Sequence, residues 1–366
     1  MGTRVAFYLP SLRGGGAERS IVTLANAFAA RGLDVDMVLA TAEGPYLADL
    51  ASDVRLVDLG ARRVLTSLPG LSRYLRAEHP RALLAAMTHA NVVAVMAHRL
   101  SRVSLRLVLS ERNTLSRSMV SVTSLRSRGF LRMLRYAYTR ADTIVAVSNG
   151  VADDLAHTVG LPRQRIEVVY NPIVSHAVFE KAAEPLDHPW FQAAAPPVIL
   201  SVGRLNPQKD YATLLRAFAE VRQQMTCRLA ILGEGASRDT LEALARDLGV
   251  WDDVTMPGFV PNPFNWMRKA SVFVLSSAWE GLPGVLIQAM ACGTPVVSTD
   301  CPSGPSEILA GGVWGRLVPV GDVEAVARAI EATLTSKTNP DVASRALDFG
   351  VEHAVDRYLA VLGIEG

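Results

Sequence analysis

Short, largely apolar, β-branched runs alternate with longer amphipathic runs along this chain, and the series stops once and begins again. Arg4–Leu9, Val35–Leu39, Arg55–Val57, Ala82–Ala86, Leu105–Leu109, Thr143–Val147 and Glu167–Val169 read as strands. Helical patterns at Ala17–Ala30, Leu68–Ala77, Val92–Leu100, Leu125–Thr139 and Val151–Val159 lie between most of them. The strands are apolar on both faces. That is the pattern of a parallel sheet covered by helices on each side. Asn171-Pro172 then opens a stretch rich in Pro, Ala and His that closes at Ala195-Pro196-Pro197, as a linker would. Strands resume at Val198–Val202, Arg228–Leu232, Val254–Met256, Val272–Leu275, Pro295–Ser298 and Leu317–Pro319. Between and after them come helical patterns at Tyr211–Arg222, Ser237–Leu248, Phe264–Arg268, Val285–Ala291 and Val323–Leu334, with a last helical stretch from about Val342 to Leu362.

The expected fold is therefore α/β, with two doubly wound, Rossmann-like domains facing across a cleft. Residues 1–172 form the first domain, 173–197 the linker and 198–341 the second domain. Residues 342–366 form a C-terminal helix packing back on the first. In doubly wound sheets ligands bind at the carboxyl ends of the strands, so the motifs worth reading are strand-end loops.

Charge divides the chain at the same place. Residues 1–180 carry 22 arginines, no lysine and 14 acids, a net +8; residues 181–366 carry 15 basic residues and 21 acids, a net −6. The first half is biased towards an anionic partner. Arg112 to Ala141 holds seven arginines and no acid, with Phe130, Met133, Leu134, Tyr136 and Tyr138 interleaved. Such a stretch is either a helix packed by its apolar face or a surface for an anionic membrane. No nucleic-acid motif accompanies the charge. The three cysteines, Cys227, Cys292 and Cys301, have neither metal-ligand nor disulfide-framework spacing, which points to a reducing compartment. The start MGTRVAFYLP has no secretory signal pattern, and no run of about 18 apolar residues occurs.

Two loops in the second half carry the most chemistry. Gly203-Arg204-Leu-Asn-Pro-Gln-Lys209 leaves a strand with two cations and no carboxylate before Asp210. Arg204 suits bidentate capture of a phosphate, and Lys209 adds a point charge. Glu280-Gly281-Leu282-Pro283-Gly284-Val285-Leu286-Ile-Gln288 turns from strand to helix, placing a carboxylate and a carboxamide eight residues apart. Backbone N–H groups at such a helix start bind anions or hydroxyls. Gln288, roughly one turn in, can pair with a vicinal diol. A diphosphate carrying polyhydroxyl groups fits both loops. Gly14-Gly15-Gly16-Ala17-Glu18 opens the first helix with a spacing unlike that of dinucleotide-binding domains. Gly233-Glu234-Gly235 and Gly258-Phe259-Val260 are further strand-end turns. In the first half, His89 and Glu111 each stand at the end of an apolar strand as polar cleft candidates. Each has a purely structural reading as a cap or core residue.

Taken together, these residues resemble family 4 of the retaining glycosyltransferases, which have the GT-B fold, over nearly the whole length. The resemblance rests on the Gly14–Glu18 loop, Gly203-Arg204…Lys209, the Gly233/Gly235 turn, Gly258-Phe259-Val260 and Glu280-Gly-Leu-Pro…Gln288-Ala-Met-Ala-Cys-Gly-Thr-Pro-Val-Val. It implies that Arg204 and Lys209 hold the donor diphosphate and that Glu280 stands beside the donor sugar. By the same resemblance, the backbone of Leu282 to Leu286 binds sugar and phosphate, Val260 meets the nucleobase edge, and Gly15 and Gly16 close over the diphosphate. The family usually has a glutamate where this chain has Gln288, and often a histidine where it has Ser110-Glu111-Arg112; Glu111 or His89 stands in for that histidine.

The implied activity is transfer of a hexose or N-acetylhexosamine from a UDP-sugar, with retention and without a metal. No Asp-x-Asp lies in a strand-end loop, since Asp34-Val-Asp36 begins a strand. Asp300–Glu307 and Ser110–Asn113 are similar to bacterial enzymes that extend lipid-linked oligosaccharides. The expected partners are thus a nucleotide-sugar donor, a lipid-linked or envelope saccharide acceptor, and an anionic membrane surface met through Arg112–Arg140, with no nucleic acid. The expected location is cytoplasmic, at the inner face of the membrane. The competing reading is a catalytically silent subunit of the same fold that binds nucleotide sugar.

Overall fold

The computed structural model describes residues 3–13, 15–116 and 125–364, without the side chains of 125–128. Gly14, Arg117 and the side chains of Arg126 and Arg128, the last three within the arginine-rich stretch, lie outside the described residues. Met1–Pro172 together with Val351–Gly366 make one compact unit, and Ile173–Gly350 makes another.

In the first unit, β1 (Arg4–Leu9), β2 (Asp34–Leu39), β3 (Val54–Asp58), β4 (Ala82–Ala86), β5 (Arg106–Glu111), β6 (Thr143–Ala146) and β7 (Ile166–Val168) form one parallel sheet in the order β3-β2-β1-β4-β5-β6-β7. Phe7 of β1 stands in register with Met37 of β2 and Leu84 of β4. The helices are α1 (Gly16–Ala30), α2 (Leu68–Glu78), α3 (Thr88–Ser101), α4 (Leu125–Tyr138) and α5 (Asn149–Val159), the last capped by Ser148 Oγ accepting from Val151 N–H at 3.2 Å. Val5, Phe7 and Leu9 of β1 pack with Ile21, Leu24 and Phe28 of α1 in one core. Each such buried side chain contributes roughly 1.5–3 kcal/mol.

The second unit begins with α6 (His176–Ala183), inside the stretch that composition marks as a linker. Residues 173–197 are no free linker. Val178 and Ala182 are buried, α6 packs on α9 (Phe264–Lys269), and Asn262 donates to the Lys181 carbonyl at 2.8 Å. A Pro- and Ala-rich composition describes this layer as well as it describes a tether. Strands β8 (Val198–Val202), β9 (Arg228–Leu232), β10 (Val254–Gly258), β11 (Val272–Leu275), β12 (Val296–Thr299) and β13 (Arg316–Val318) form a parallel sheet in the order β10-β9-β8-β11-β12-β13. The covering helices are α7 (Tyr211–Gln224), α8 (Arg238–Asp247), α9, α10 (Gly284–Ala291), α11 (Pro305–Ile308) and α12 (Val323–Thr335). Asp210 caps α7, accepting from Thr213 Oγ1 at 2.7 Å.

The last helical stretch is two helices with different allegiances. α13 (Val342–Ala346) packs on α10 in the second unit. α14 (Val351–Leu362) packs on α1, placing Val355, Tyr358 and Leu362 in the first unit's core. Arg31, just after α1, pairs with Glu352 and Asp356 of α14. No described helix is long and apolar enough to cross a membrane.

Candidate active site

Each sheet reverses its winding at one place, and the candidate residues collect there. In the second unit the reversal lies between β8 and β11, adjacent strands whose connections run to opposite sides. The loops leaving them are therefore neighbours, although far apart in sequence. Ala278 N–H donates to the Gln208 carbonyl at 2.8 Å, Gln208 Nε2 to the Trp279 carbonyl at 2.9 Å, and Ser276 Oγ to the Lys209 carbonyl at 2.8 Å. This stitching sets Lys209 Nζ 2.6 Å from Glu280 Oε1. The two cations of the first loop, which the sequence leaves without a counter-charge, thus do not share one environment. Lys209 is mostly buried against a carboxylate, and Arg204 is exposed.

Glu280 is 7% exposed, and its second donor is Ser277 Oγ at 2.6 Å, also on Oε1. Oε2 takes no hydrogen bond from the described side chains. The backbone around Glu280 is fixed by its own N–H to the Pro302 carbonyl at 2.8 Å and by Ser303 N–H to its carbonyl at 3.1 Å. The result is a rigid carboxylate with one occupied and one available oxygen, beside an ammonium that keeps two of its three donors.

The glycine turns divide by physical need. A Cβ on Gly235 would stand 2.2 Å from the Leu205 carbonyl oxygen, because the β8 and β9 exit loops lie against each other, joined by Leu205 N–H to the Glu234 carbonyl at 2.9 Å. Folding alone demands that glycine. Gly16 differs: a Cβ there would meet nothing within 4 Å.

In the first unit the reversal lies between β1 and β4. Gly15 and Gly16 follow β1, and His89 sits exposed in the first turn of α3, just after β4. Its ring lies 5.6 Å from that of Phe130 on α4. Glu111 ends β5, the next strand, but is not open to a ligand. It is 2% exposed and accepts from Thr88 Oγ1 at 2.9 and 3.1 Å, from Tyr138 Oη at 2.9 Å and from Asn91 Nδ2 at 3.4 Å. Burial pushes its carboxyl up to about 7, against the pull of these hydrogen bonds. Arg112, next in the chain, turns away from Glu111 to Asn171 and Tyr358.

The sequence description "Glycosyl transferases group 1" matches residues 187–346, and "Glycosyltransferase Family 4" matches residues 14–175. The lipopolysaccharide core biosynthesis glycosyltransferase LpsE of Rhizobium meliloti is 30% identical over 359 residues, which is 95% of this chain and 96% of that protein. The chain belongs to the family 4 glycosyltransferases.

The N-acetylgalactosamine-N,N'-diacetylbacillosaminyl-diphospho-undecaprenol 4-alpha-N-acetylgalactosaminyltransferase of Campylobacter jejuni is 33% identical to this glycosyltransferase over 246 residues. That match covers 67% of this chain and 64% of the relative. Among solved structures, HepE of Anabaena, crystallised with UDP, shares the fold: TM-score 0.78, 20% identity, 98% of this chain and 99% of that one. The lipopolysaccharide outer core galactosyltransferase WaaB has a TM-score of 0.75 at 20% identity, over 98% and 99% of the two chains. This glycosyltransferase therefore has the GT-B fold.

The remaining candidates take these places. Gly203 leaves β8, where an added Cβ would stand 2.8 Å from Tyr211 Oη and 3.1 Å from Lys209 Cε. Val260 follows β10, half-buried, after Phe259, which is 77% exposed. Gly281, Leu282 and Pro283 are buried, Gly284 and Val285 half-buried, and Leu286 is wholly in the core, which leaves only its backbone for a ligand. Gln288 is half-buried in the second turn of α10. Ser277 and Gln208 escaped the sequence reading. Serine and glutamine in a loop carry no signal until the strand order is known. No cluster of three or more His, Cys, Asp or Glu able to hold a metal occurs among the described residues. Asp36 is buried and taken up by Arg55 and Tyr74. A cavity of about 620 Å³, lined by Trp314, Arg316, Arg328 and Asn339 among others, lies at the amino-terminal start of β12 and includes none of these residues.

Proposed function

We propose that this glycosyltransferase moves a hexose or N-acetylhexosamine from a UDP-sugar to a lipid-linked or envelope saccharide, with retention and without a metal ion. The observation that carries the reading is the Lys209–Glu280 contact at the winding reversal of the second unit. Cleavage of the sugar–phosphate bond builds negative charge on the leaving diphosphate. Lys209, Arg204 and the backbone N–H groups at the start of α10 supply fixed positive potential for it. Glu280 Oε2 accepts from a sugar hydroxyl while Oε1 holds Lys209 in place. The ring passes through an oxocarbenium-like state, and the departing phosphate oxygen takes the acceptor's proton on the same face, so no protein nucleophile is required. Gln288 pairs with the ribose diol and Val260 with the base edge. His89 is the first-unit candidate for a contact with the transferred sugar.

The donor class is supported by HepE, solved with UDP and with UDP-glucose. The acceptor class is supported by the printed names of the Campylobacter and Rhizobium relatives. Release of UDP from UDP-hexoses and UDP-N-acetylhexosamines, with an undecaprenyl-diphosphate saccharide as acceptor, tests the reading. Turnover that withstands EDTA and gives an α-linked product is expected. Donor binding with no turnover on any acceptor makes the chain a silent binder, and activity lost in EDTA and restored by a divalent ion overturns the metal-free step.

Membrane contact belongs to the same reading. Arg99, Arg102, Arg132, Arg135 and Arg140 are exposed on or just after α3 and α4, with Met96, Leu100 and Tyr136 among them at 40%, 55% and 43% exposure. Arg99 and Arg140 flank the Tyr136 ring at 5.6 and 4.8 Å. Cations interleaved with exposed apolar groups suit the inner face of an anionic cytoplasmic membrane.

A further inference from the structure

A buried carboxyl with three kinds of donor and no cation is costly to keep. Glu111 is in that position: Thr88 and Asn91 of α3 and Tyr138 of α4 all donate to it, and Arg112 faces elsewhere. Tyr138 accepts from Asn91 Nδ2 at 3.0 Å, so its own proton is directed at Glu111. One further buried atom of the cluster, Asn91 Oδ1, has no hydrogen-bond partner. All the donors around Glu111 are thus set for its ionised form. It joins three elements at one point: the end of β5, the first turn of α3 and the last turn of α4. His89 is in that first turn, and its ring rests on Phe130 of α4.

We propose that Glu111 is a positioning residue, whose ionised carboxylate seats the first turn of α3 against α4 and so fixes where the His89 imidazole stands. The role of His89 itself rests on the function proposed above; the seating of α3 does not. The groups facing Glu111 are Thr88 and Asn91 on α3, Tyr138 on α4, and the charge of Asp154 on α5, which is held by the N–H groups of Leu115 and Ser116. Tyr138 stays neutral throughout, its phenol raised well above 10 by burial. Glu111 is thus the group of the cluster that titrates near neutrality. Its carboxyl rises from 4.5 to about 7 on folding. Between those values the folded protein holds a proton that the unfolded chain has lost. Stability from this group therefore falls as pH rises through the window, while the seated, ionised form grows.

The test uses the full chain as wild type, Glu111→Gln, Tyr138→Phe and His89→Ala, melted from pH 5 to 9 and assayed for UDP release from UDP-hexoses and UDP-N-acetylhexosamines. The wild-type melting temperature is expected to fall with rising pH up to about 7. That slope should vanish in Glu111→Gln. In Tyr138→Phe its upper end should move to higher pH, because a bond favouring the ionised form is gone. The wild-type kcat at pH 5.5 should be about thirtyfold below its plateau if only the ionised form is seated, and Glu111→Gln should flatten this limb. Stability profiles that coincide in wild type and Glu111→Gln overturn the proposal. Full activity in His89→Ala, with the Glu111-dependent stability profile intact, refutes the role of His89 and leaves the seating in place.

Discussion

Lys209 and Glu280 are 71 residues apart in the chain and 2.6 Å apart in space, because β8 and β11 are neighbours in the sheet. Each is the other's main partner, so removing one leaves a mostly buried charge. Lys209→Met or Glu280→Gln should each cost on the order of 2 kcal/mol, and the Lys209→Met/Glu280→Gln double variant less than the sum of the two. Turnover should drop at least about a hundredfold in every case, in Lys209→Met because the leaving diphosphate loses a fixed counter-charge and in the Glu280 variants because the donor sugar loses its carboxylate partner. Urea denaturation decides the first point: additive losses would mean the contact carries no coupling.

Three glycines separate folding from ligand approach. Gly235→Ala drives a methyl into the Leu205 carbonyl, at 2.2 Å, and should destabilise by roughly 2 kcal/mol or more. Gly203→Ala crowds Tyr211 Oη and the Lys209 stem, which can yield, so activity should suffer more than stability. Gly16→Ala meets nothing and opens a helix, so stability should be unchanged or slightly raised. If turnover by Gly16→Ala is also unchanged, no ligand comes close to that backbone and Gly16 leaves the site.

Gln288→Glu should tighten UDP binding by on the order of 1 kcal/mol, since a carboxylate accepts both ribose hydroxyl protons with charge assistance. Gln288→Ala should weaken it with little change in melting temperature. Titration calorimetry with UDP is the measurement, and equal affinity in wild type and Gln288→Ala would remove this residue from nucleotide recognition.

The membrane surface is tested at the exposed arginines on and just after α3 and α4. Changing Arg99, Arg102, Arg132 and Arg140 to Gln should abolish sedimentation with vesicles containing anionic lipid, at about 1 kcal/mol per cation. Wild-type binding should fade as salt rises above about 0.1 M. Equal sedimentation of the variant would make this an ordinary solvated face.

Much of this was legible in the sequence because buried parallel strands are apolar at every position, and runs such as Val272–Leu275 have no other economical reading. The site loops were legible because strand-end cations and glycines stand out against such runs. Sheet order was not legible. It decides that Lys209 meets Glu280, that Gln208 and Ser277 hold them, and that Glu111 is enclosed by Thr88, Asn91 and Tyr138. Composition misled at 173–197, where α6 buries only Val178 and Ala182, too few apolar positions to mark a helix among prolines. The same blindness to tertiary partners hid the break after α13, since α13 and α14 read as one amphipathic stretch.

The return of α14 to the first unit makes the second unit, topologically, an insertion. The chain leaves after Pro172 and re-enters at Val351, and the two crossing strands of backbone run side by side: Ile173 and Val174 N–H both donate to the Phe349 carbonyl, at 3.0 and 3.1 Å, and Val174 bridges Gly350. The first unit cannot be cut out as one continuous stretch of chain. A fragment ending near residue 172 lacks Val355, Tyr358 and Leu362 from its core. A first unit made by joining 172 to 351 through a short glycine linker closes a gap only a few residues wide and restores them. The second unit, with both of its ends already hydrogen-bonded together, is the piece that can be excised whole, circularly permuted, or exchanged for that of a relative.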